Sequence, residues 1–189
     1  MVQHELSRRS WVLGLSAMIA EAQNHAHEVV GSATPPKLEI LDASVAAEIE
    51  ALTAQIIPSE DGPGARETGV IYFIDRALAT FETDQRDAYR KGMDEIQQTR
   101  RKLYPGSSSI AGLTAGQQIE LLRAVEKSEF FELLRKHTVW GFVGSPIYGG
   151  NRGKAGWAYI GFDDQMKFEP PFGYYDAEAR GHERGIAKP

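Results

Sequence analysis

Apolar residues recur at helical spacing along most of this 189-residue chain, and no other feature constrains its fold as strongly. Residues on one face of an α-helix lie three or four positions apart, whereas residues on one face of a strand alternate. The chain has no alternating stretch of useful length and no internal repeat. The sequence therefore predicts an all-α protein, a compact bundle of about five helices with an irregular C-terminal extension rich in glycine and aromatic residues.

The helical pattern divides into five segments. The second has a wide apolar arc, which is typical of a helix at the centre of a bundle. The third is more polar and places Leu103 on its inner face, and the fourth places Ile119 inside. The predicted extents are, in chain order, Asp42 to Pro58, about 67–81, about 84–103, Thr114 to about Val125, and about 129–143.

Residues 144–161 are dense in glycine and aromatic side chains. Each glycine costs a helix about 1 kcal/mol relative to alanine, so this segment is not expected to continue the helical pattern. Its aromatic side chains supply a large apolar area, so we expect a formed loop that packs either on its own chain or on another. Both alternatives stay open for the residues that we select as candidates for loop packing or a partner interface: Trp140, Phe142, Tyr148, Gly149, Gly150, Asn151 and Trp157.

Composition and motif context exclude several classes of function. The formal net charge of −5 argues against a duplex-binding module, whose affinity comes from a basic face. The chain has no cysteine, which excludes thiolate nucleophiles, iron–sulfur ligation and covalent haem attachment through cysteine. The glycines of residues 149–153 are not a phosphate-binding loop, because a predicted helix and not a strand precedes them. No catalytic, cofactor-binding or metal-binding residue is predicted in this chain.

The N-terminus has the pattern of an export signal. Arg8 and Arg9 precede a short apolar run, residues 11–20, which is far below the roughly 20 residues needed to span a bilayer. Paired arginines before such a run resemble the signal of the twin-arginine pathway, which exports folded proteins. The sequence thus predicts a periplasmic protein without a membrane span of its own. The predicted division is 1–22 signal or N-terminal segment, 23–41 linker, 42–165 helical domain and 166–189 extension.

His137 is the only histidine inside the predicted domain. A general base needs a partner within hydrogen-bond reach, and the sequence around His137 shows no recognisable nucleophile or triad order. We therefore interpret it as a core or interface residue. The alternative is a stand-alone exported enzyme, or a module that binds a small ligand, with its site near His137.

Several short motifs follow the twin arginines in a fixed order. They are Ile56-Ile57-Pro58, Asp61-Gly62-Pro63-Gly64-Ala65, Gly69-Val70 with Tyr72-Phe73-Ile74-Asp75, Phe130-Phe131, His137-Thr138 with Gly141, Pro146 with Tyr148-Gly149-Gly150-Asn151, and Gly156-Trp157 with Ile160-Gly161. Taken in this order, they resemble the gluconate 2-dehydrogenase subunit 3 family. The resemblance covers roughly residues 40 to 165, and its last two motifs are the more specific because rare residues coincide with order and spacing.

The resemblance implies an accessory role. Members of this family are small subunits of membrane-associated, FAD-dependent sugar and polyol dehydrogenases of bacteria. The expected partner is a large flavoprotein, similar to glucose–methanol–choline oxidoreductases, that holds FAD and performs the chemistry, with a haem-bearing subunit as a further partner. The small subunit is then non-catalytic and supports folding, stability and twin-arginine export of the flavoprotein.

Overall fold

The computed structural model describes residues 36–162 and residue 164. Every regular element in this part of the chain is helical, which confirms the predicted all-α class. The predictions for the signal, for most of the linker and for the 166–189 extension fall outside the described residues. The α-helices are α1 (Ala43–Ile56), α2 (Val70–Ala79), α3 (Arg86–Leu103), α4 (Ala115–Val125), α5 (Glu129–Val143) and the short α6 (Ala155–Tyr159).

Helix α2 lies at the centre of the bundle, as its wide apolar arc predicted. It packs against α1 on one side and α5 on the other, and its Ile74 and Leu78 are 0% and 1% exposed. The helix is shorter than the predicted span of about 67–81. Gly69 has a left-handed backbone with φ 69, so the chain turns there and α2 begins one residue later. Within the described residues, no helix combines the length and the apolar character needed to cross a membrane.

Side-chain caps set the start of α4 and α5. Thr114 accepts a hydrogen bond from the Gln117 N–H at 3.3 Å, and the Gln117 side chain accepts one from the Thr114 N–H at 3.0 Å. Ser128 accepts from the Phe131 N–H at 3.1 Å. These bonds satisfy N–H groups that have no partner within the helix. The predicted cap of α4 and the predicted extent of α5 are therefore confirmed.

Two residues predicted to face inward are exposed. Leu103 and Ile119 are 40% and 38% exposed, so these two assignments were wrong. In α4 an inner position belongs to Gln118, whose side-chain amide donates to the carbonyls of Ile110 and Leu113, each at 3.1 Å. A polar residue with satisfied hydrogen bonds can occupy a core position that periodicity assigns to an apolar one.

A buried carboxylate ties the chain entering the bundle to α2. Asp75 is 2% exposed and accepts hydrogen bonds from the backbone N–H groups of Glu39, Ile40 and Leu41. Three N–H donors compensate the carboxylate for its loss of water. This contact fixes residues 39–41 against the middle of α2.

Candidate functional site

Residues 144–161 fold back onto the C-terminal end of α5. The Asn151 N–H donates to the Gly141 carbonyl at 2.8 Å, and the Trp157 indole donates to the Val143 carbonyl at 2.6 Å. Short helical turns at Pro146–Tyr148 and Arg152–Lys154 lead into α6. The segment expected to be irregular therefore contains a short helix, and it packs on its own chain.

Asn151 holds this loop together from inside. It is 0% exposed and has a left-handed backbone with φ 45, which Asn tolerates better than most residues. Its side-chain N–H donates to the Gly144 carbonyl, and its side-chain oxygen accepts from the Gly156 N–H, both at 2.9 Å. The same oxygen faces the Trp157 N–H at 3.4 Å. The Asn151 side chain thus accepts from N–H groups in the first turn of α6, which have no partner within that helix.

Gly149 and Gly150 lie where the loop backbone touches the bundle. Gly149 has φ 97, and a Cβ atom there would lie 2.9 Å from the Tyr72 carbonyl oxygen. A Cβ atom at Gly150 would overlap the Gly141 carbonyl oxygen of α5. Only glycine allows both the left-handed turn and the close backbone approach. These two residues position the loop on α2 and α5.

The four aromatic candidates do not share one environment. Phe142 is 4% exposed and belongs to the core, whereas Trp140 and Tyr148 are 42% and 43% exposed. Trp157 is partly buried and packs on Phe162, with ring centroids 5.0 Å apart. The structure thus brings Trp140 and Tyr148 to the surface and places Phe142 and Trp157 in contacts within the chain.

An apolar groove lies between α2, the end of α5 and the loop. We call it the aromatic groove; its volume is ≈ 430 Å³ and its lining is mostly apolar. Phe81, just after α2, is 50% exposed and meets Tyr148 edge to face with centroids 5.5 Å apart. Phe81 is not among the residues predicted from the sequence, because no local pattern indicates that it lies beside residues more than 60 positions later. The lining residues are Phe73, Phe81, Trp140, Val143, Gly144, Ser145 and Tyr148.

His137 lies beneath the wall of the aromatic groove. Its ring is 0% exposed, stacks on Trp140 at 5.7 Å and meets Phe73 edge to face at 6.4 Å between centroids. Nδ1 shares a hydrogen bond with the Tyr89 hydroxyl at 2.9 Å. Within the described residues Nε2 has no hydrogen-bond partner and faces the Glu82 carboxylate at 3.8 Å.

The environment of His137 keeps its imidazole neutral. Burial, and secondly the charge of Lys136, lower the pKa of His137 to about 4. Burial raises the pKa of Tyr89, so its hydroxyl stays protonated. A hydroxyl that donates to Nδ1 leaves the ring proton on Nε2, where it faces Glu82. Within the described residues, no group of three or more His, Asp or Glu side chains could hold a metal ion.

One cation on the groove rim has no carboxylate partner among the described residues. Lys136 places its ammonium 4.6 Å from the centre of the Trp140 ring and forms none of the ion pairs found there. Arg76, on the opposite side, pairs with Glu39 at 3.0 Å and donates to the Ile147 carbonyl at 2.9 Å. Among the residues that the structure describes, Arg76 is therefore neutralised by a carboxylate and Lys136 is not.

Motifs far apart in the sequence pack against one another around the loop. The Tyr159 ring fills the space beside Gly62, and the Arg152 side chain crosses Gly69. The Arg152 N–H donates to the Thr68 carbonyl at 3.0 Å. The Asp61–Ala65 motif, the start of α2 and the glycine-rich loop thus form one continuous unit.

Comparison with known proteins supports the family that these motifs suggested. Residues 43–164 match the family described as gluconate 2-dehydrogenase subunit 3. No curated protein and no solved structure gives a significant match. The family match covers well over half of the chain and contains all six helices and the loop. The chain therefore belongs to the gluconate 2-dehydrogenase subunit 3 family.

Proposed function

We propose that this chain is the non-catalytic small subunit of a membrane-associated, FAD-dependent sugar or polyol dehydrogenase. In this proposal a large flavoprotein subunit holds FAD and performs the oxidation, and a haem-bearing subunit accepts the electrons. The small subunit supports the folding and stability of the flavoprotein. The observation that carries the proposal is the family match over residues 43–164.

The surface supports binding to another protein. Trp140, Tyr148 and Phe81 are each between 42% and 50% exposed and surround a groove with a mostly apolar lining. Contiguous apolar surface of this kind is typical of protein interaction sites, and Trp and Tyr are enriched at interface centres. Asn151, Gly149, Gly150 and Trp157 act in this proposal through the loop, which they hold in place beside that surface.

The experiment for complex formation is affinity purification of the tagged chain from its native cells. We expect a large flavoprotein in near-stoichiometric amount and the absorbance spectrum of bound flavin. A colourless chain that elutes alone and monodisperse would contradict the proposal. The untagged strain, carried through the same purification, is the control for proteins retained by the resin.

The export role has a separate test at the twin arginines. A folded-protein route preserves a flavin that is acquired in the cytoplasm, so Arg8 and Arg9 are proposed to carry the whole complex to the periplasm. Changing both to Lys should retain the flavoprotein in the cytoplasm while the complex still forms. Changing Arg101 and Arg123, whose side chains are exposed, to Lys is a control for loss of guanidinium groups elsewhere. Periplasmic flavoprotein in the Arg8→Lys, Arg9→Lys strain would remove the export role from the proposal.

Enzymatic activity near His137 is the alternative function. The imidazole is 0% exposed and its Nδ1 is hydrogen-bonded to Tyr89, so a substrate would reach it only after surrounding side chains moved. This burial favours the packing role. Turnover by the purified chain alone, lost in His137→Ala and kept in Trp140→Phe, would establish the alternative instead.

A further inference from the structure

We infer that the aromatic groove is where the flavoprotein docks, through a loop that presents a large apolar side chain beside an acidic residue. This inference rests on the proposed function and adds the place and the chemistry of the contact. The groove is formed by three separate parts of the chain: α2 with Phe81 after it, α5 with Trp140, and the turn that carries Tyr148.

Four large apolar side chains are exposed at one place on the surface. Phe81, Trp140, Ile147 and Tyr148 are 50%, 42%, 50% and 43% exposed, and they lie around or next to the same groove. Buried aromatic and aliphatic anchors supply most of the binding energy of an interface, and they act by filling pockets. The groove, at ≈ 430 Å³, has room for one or two large side chains of a partner.

The walls of the groove are held in place within the chain. The ring centroids of Phe73 and Phe81 are 6.1 Å apart, and the Tyr148 N–H donates to the Ser145 carbonyl at 3.1 Å. Arg76 fixes the turn by donating to the Ile147 carbonyl at 2.9 Å. A preformed site loses little conformational entropy when a partner binds. These contacts favour a groove that exists before docking.

The charges around the groove select the kind of partner. The Glu39 carboxylate neutralises Arg76, and Glu82 lies on the inner side with 18% of its side chain exposed, facing His137. The ammonium of Lys136, over the Trp140 ring, is the charge that remains without an opposite partner among the described residues. A carboxylate next to the inserted apolar side chain would complement it. The structure thus favours an acidic residue on the docking loop.

One substitution with a matched control tests the location. Ile147→Asp places a charge on the groove rim without removing a packing contact of the core, and Ile119→Asp makes the same change on α4, where Ile119 is 38% exposed. A carboxylate that becomes buried against an apolar partner side chain should weaken binding of the flavoprotein by about 30-fold or more. We expect this loss in Ile147→Asp and affinity within about twofold of the parent in Ile119→Asp.

A charge reversal tests the acidic partner residue. Lys136→Glu should weaken binding about tenfold at low salt, through slower association, and the loss should shrink at high salt. Lys127→Glu, on the connection between α4 and α5, is the control and should leave the affinity unchanged. A Lys136→Glu variant that binds as well as its parent at low salt would overturn the charge argument.

Photo-crosslinking identifies the occupant directly. A photoreactive phenylalanine analogue replaces Ile147 in one full-length chain and Ile119 in another, and both are irradiated in native cells. We expect the Ile147 position to yield an adduct with the flavoprotein, in a peptide with Asp or Glu beside a large apolar residue. An adduct with a second copy of this chain, or a flavoprotein adduct from Ile119 alone, would overturn the inference.

The two proposals fail in different ways. If the unmodified chain retains the flavoprotein and Ile147→Asp retains it equally, the docking site is wrong and the accessory function stands. If the unmodified chain retains no flavoprotein, the proposed function itself fails. Circular dichroism of each variant confirms that its helices are formed, so that a loss of binding is assigned to the surface.

Discussion

At the scale of single residues, His137 gives the protein a pH-dependent stability. Burial and Lys136 lower the pKa of His137 to about 4 in the folded protein, and Glu82, at 3.8 Å, is the opposite charge that faces the ring. An unfolded histidine has a pKa of about 6.5. Between these values the unfolded chain binds a proton that the folded protein does not, so stability falls as the pH falls.

Replacing His137 by Gln should remove this part of the pH dependence of the unfolding free energy. Between about pH 7 and about pH 4.5, the parent should lose about 2–2.5 kcal/mol more unfolding free energy than the variant, because each pKa unit corresponds to about 1.4 kcal/mol. Urea denaturation followed by circular dichroism measures both. The carboxylates that titrate in this range are common to both proteins. If the unfolding free energies of parent and variant fall in parallel across this pH range, His137 is not the cause of the pH dependence.

The side chain of Asn151 stabilises the loop through its hydrogen bonds. It is fully buried, and its amide bridges Gly144 and Gly156. Glycine at this position keeps the left-handed backbone but removes both hydrogen bonds. The substitution Asn151→Gly therefore isolates the contribution of the side chain from that of the backbone.

We expect Asn151→Gly to lower the unfolding free energy by about 2 kcal/mol or more, because buried groups lose their partners. Lys154→Gly is the matched control: Lys154 also has a left-handed backbone, with φ 57, but its side chain is exposed. That variant should be neutral or slightly stabilised. Chemical denaturation measures the unfolding free energies of both variants. Near-ultraviolet circular dichroism reports changes in the environment of aromatic side chains, Trp157 among them. Equal stabilities for the two variants would contradict the assigned role of the Asn151 amide.

At the scale of elements, α3 and α5 approach each other through a glycine. A Cβ atom at Gly92 on α3 would overlap the ring of Phe130 on α5, and that ring also meets Tyr89 edge to face at 5.2 Å. Helices cross this closely only where one of them presents a small residue. The crossing supports Tyr89, which in turn bonds His137.

Alanine at Gly92 should therefore destabilise the protein, although alanine is the better helix former. We expect a loss of about 1–3 kcal/mol from overpacking. Gly116 in α4 has nothing within 4 Å of an added Cβ, so Gly116→Ala should stabilise by up to about 1 kcal/mol. Thermal unfolding of both variants measures the contrast. A stabilised Gly92→Ala would show that α3 and α5 lie further apart than described.

At the scale of the whole molecule, α2 connects the parts of the bundle. It contacts α1, α5 and the turn Pro146–Tyr148. Its Asp75 accepts hydrogen bonds from residues 39–41. Gly149 of the loop packs against the backbone of Tyr72. Elements that share one central helix are expected to unfold together. The loop, although rich in glycine, should then lose its structure in the same transition as the helices.

Ile74→Ala, which creates a cavity in α2 at a residue 0% exposed, should lower the unfolding free energy by about 2–5 kcal/mol. Circular dichroism of the helices and tryptophan fluorescence of the loop should give the same midpoint before and after the change. A Trp11→Phe, Trp140→Phe background leaves Trp157 in the loop as the single tryptophan of the chain. Separate midpoints would show that the loop unfolds on its own.

The helical class was predictable because it depends on local information. Apolar spacing, the Thr114 cap and the central arc of α2 are properties of short stretches, and the structure confirms them. The family could also be named from motif order, and the match over residues 43–164 agrees. Leu103 and Ile119 were assigned wrongly because the face a helix buries depends on neighbours that its own sequence does not contain.

The sequence by itself determined the fold class, the helices and the motifs that identify the family, since each is encoded within a few consecutive residues. Only the tertiary structure decided which aromatic side chains are buried and which are exposed. Phe142 lies in the core while Trp140, two residues before it, lies at the surface, and Phe81, just after α2, lines the groove. These placements depend on contacts between distant segments, and the packing of the whole bundle fixes such contacts.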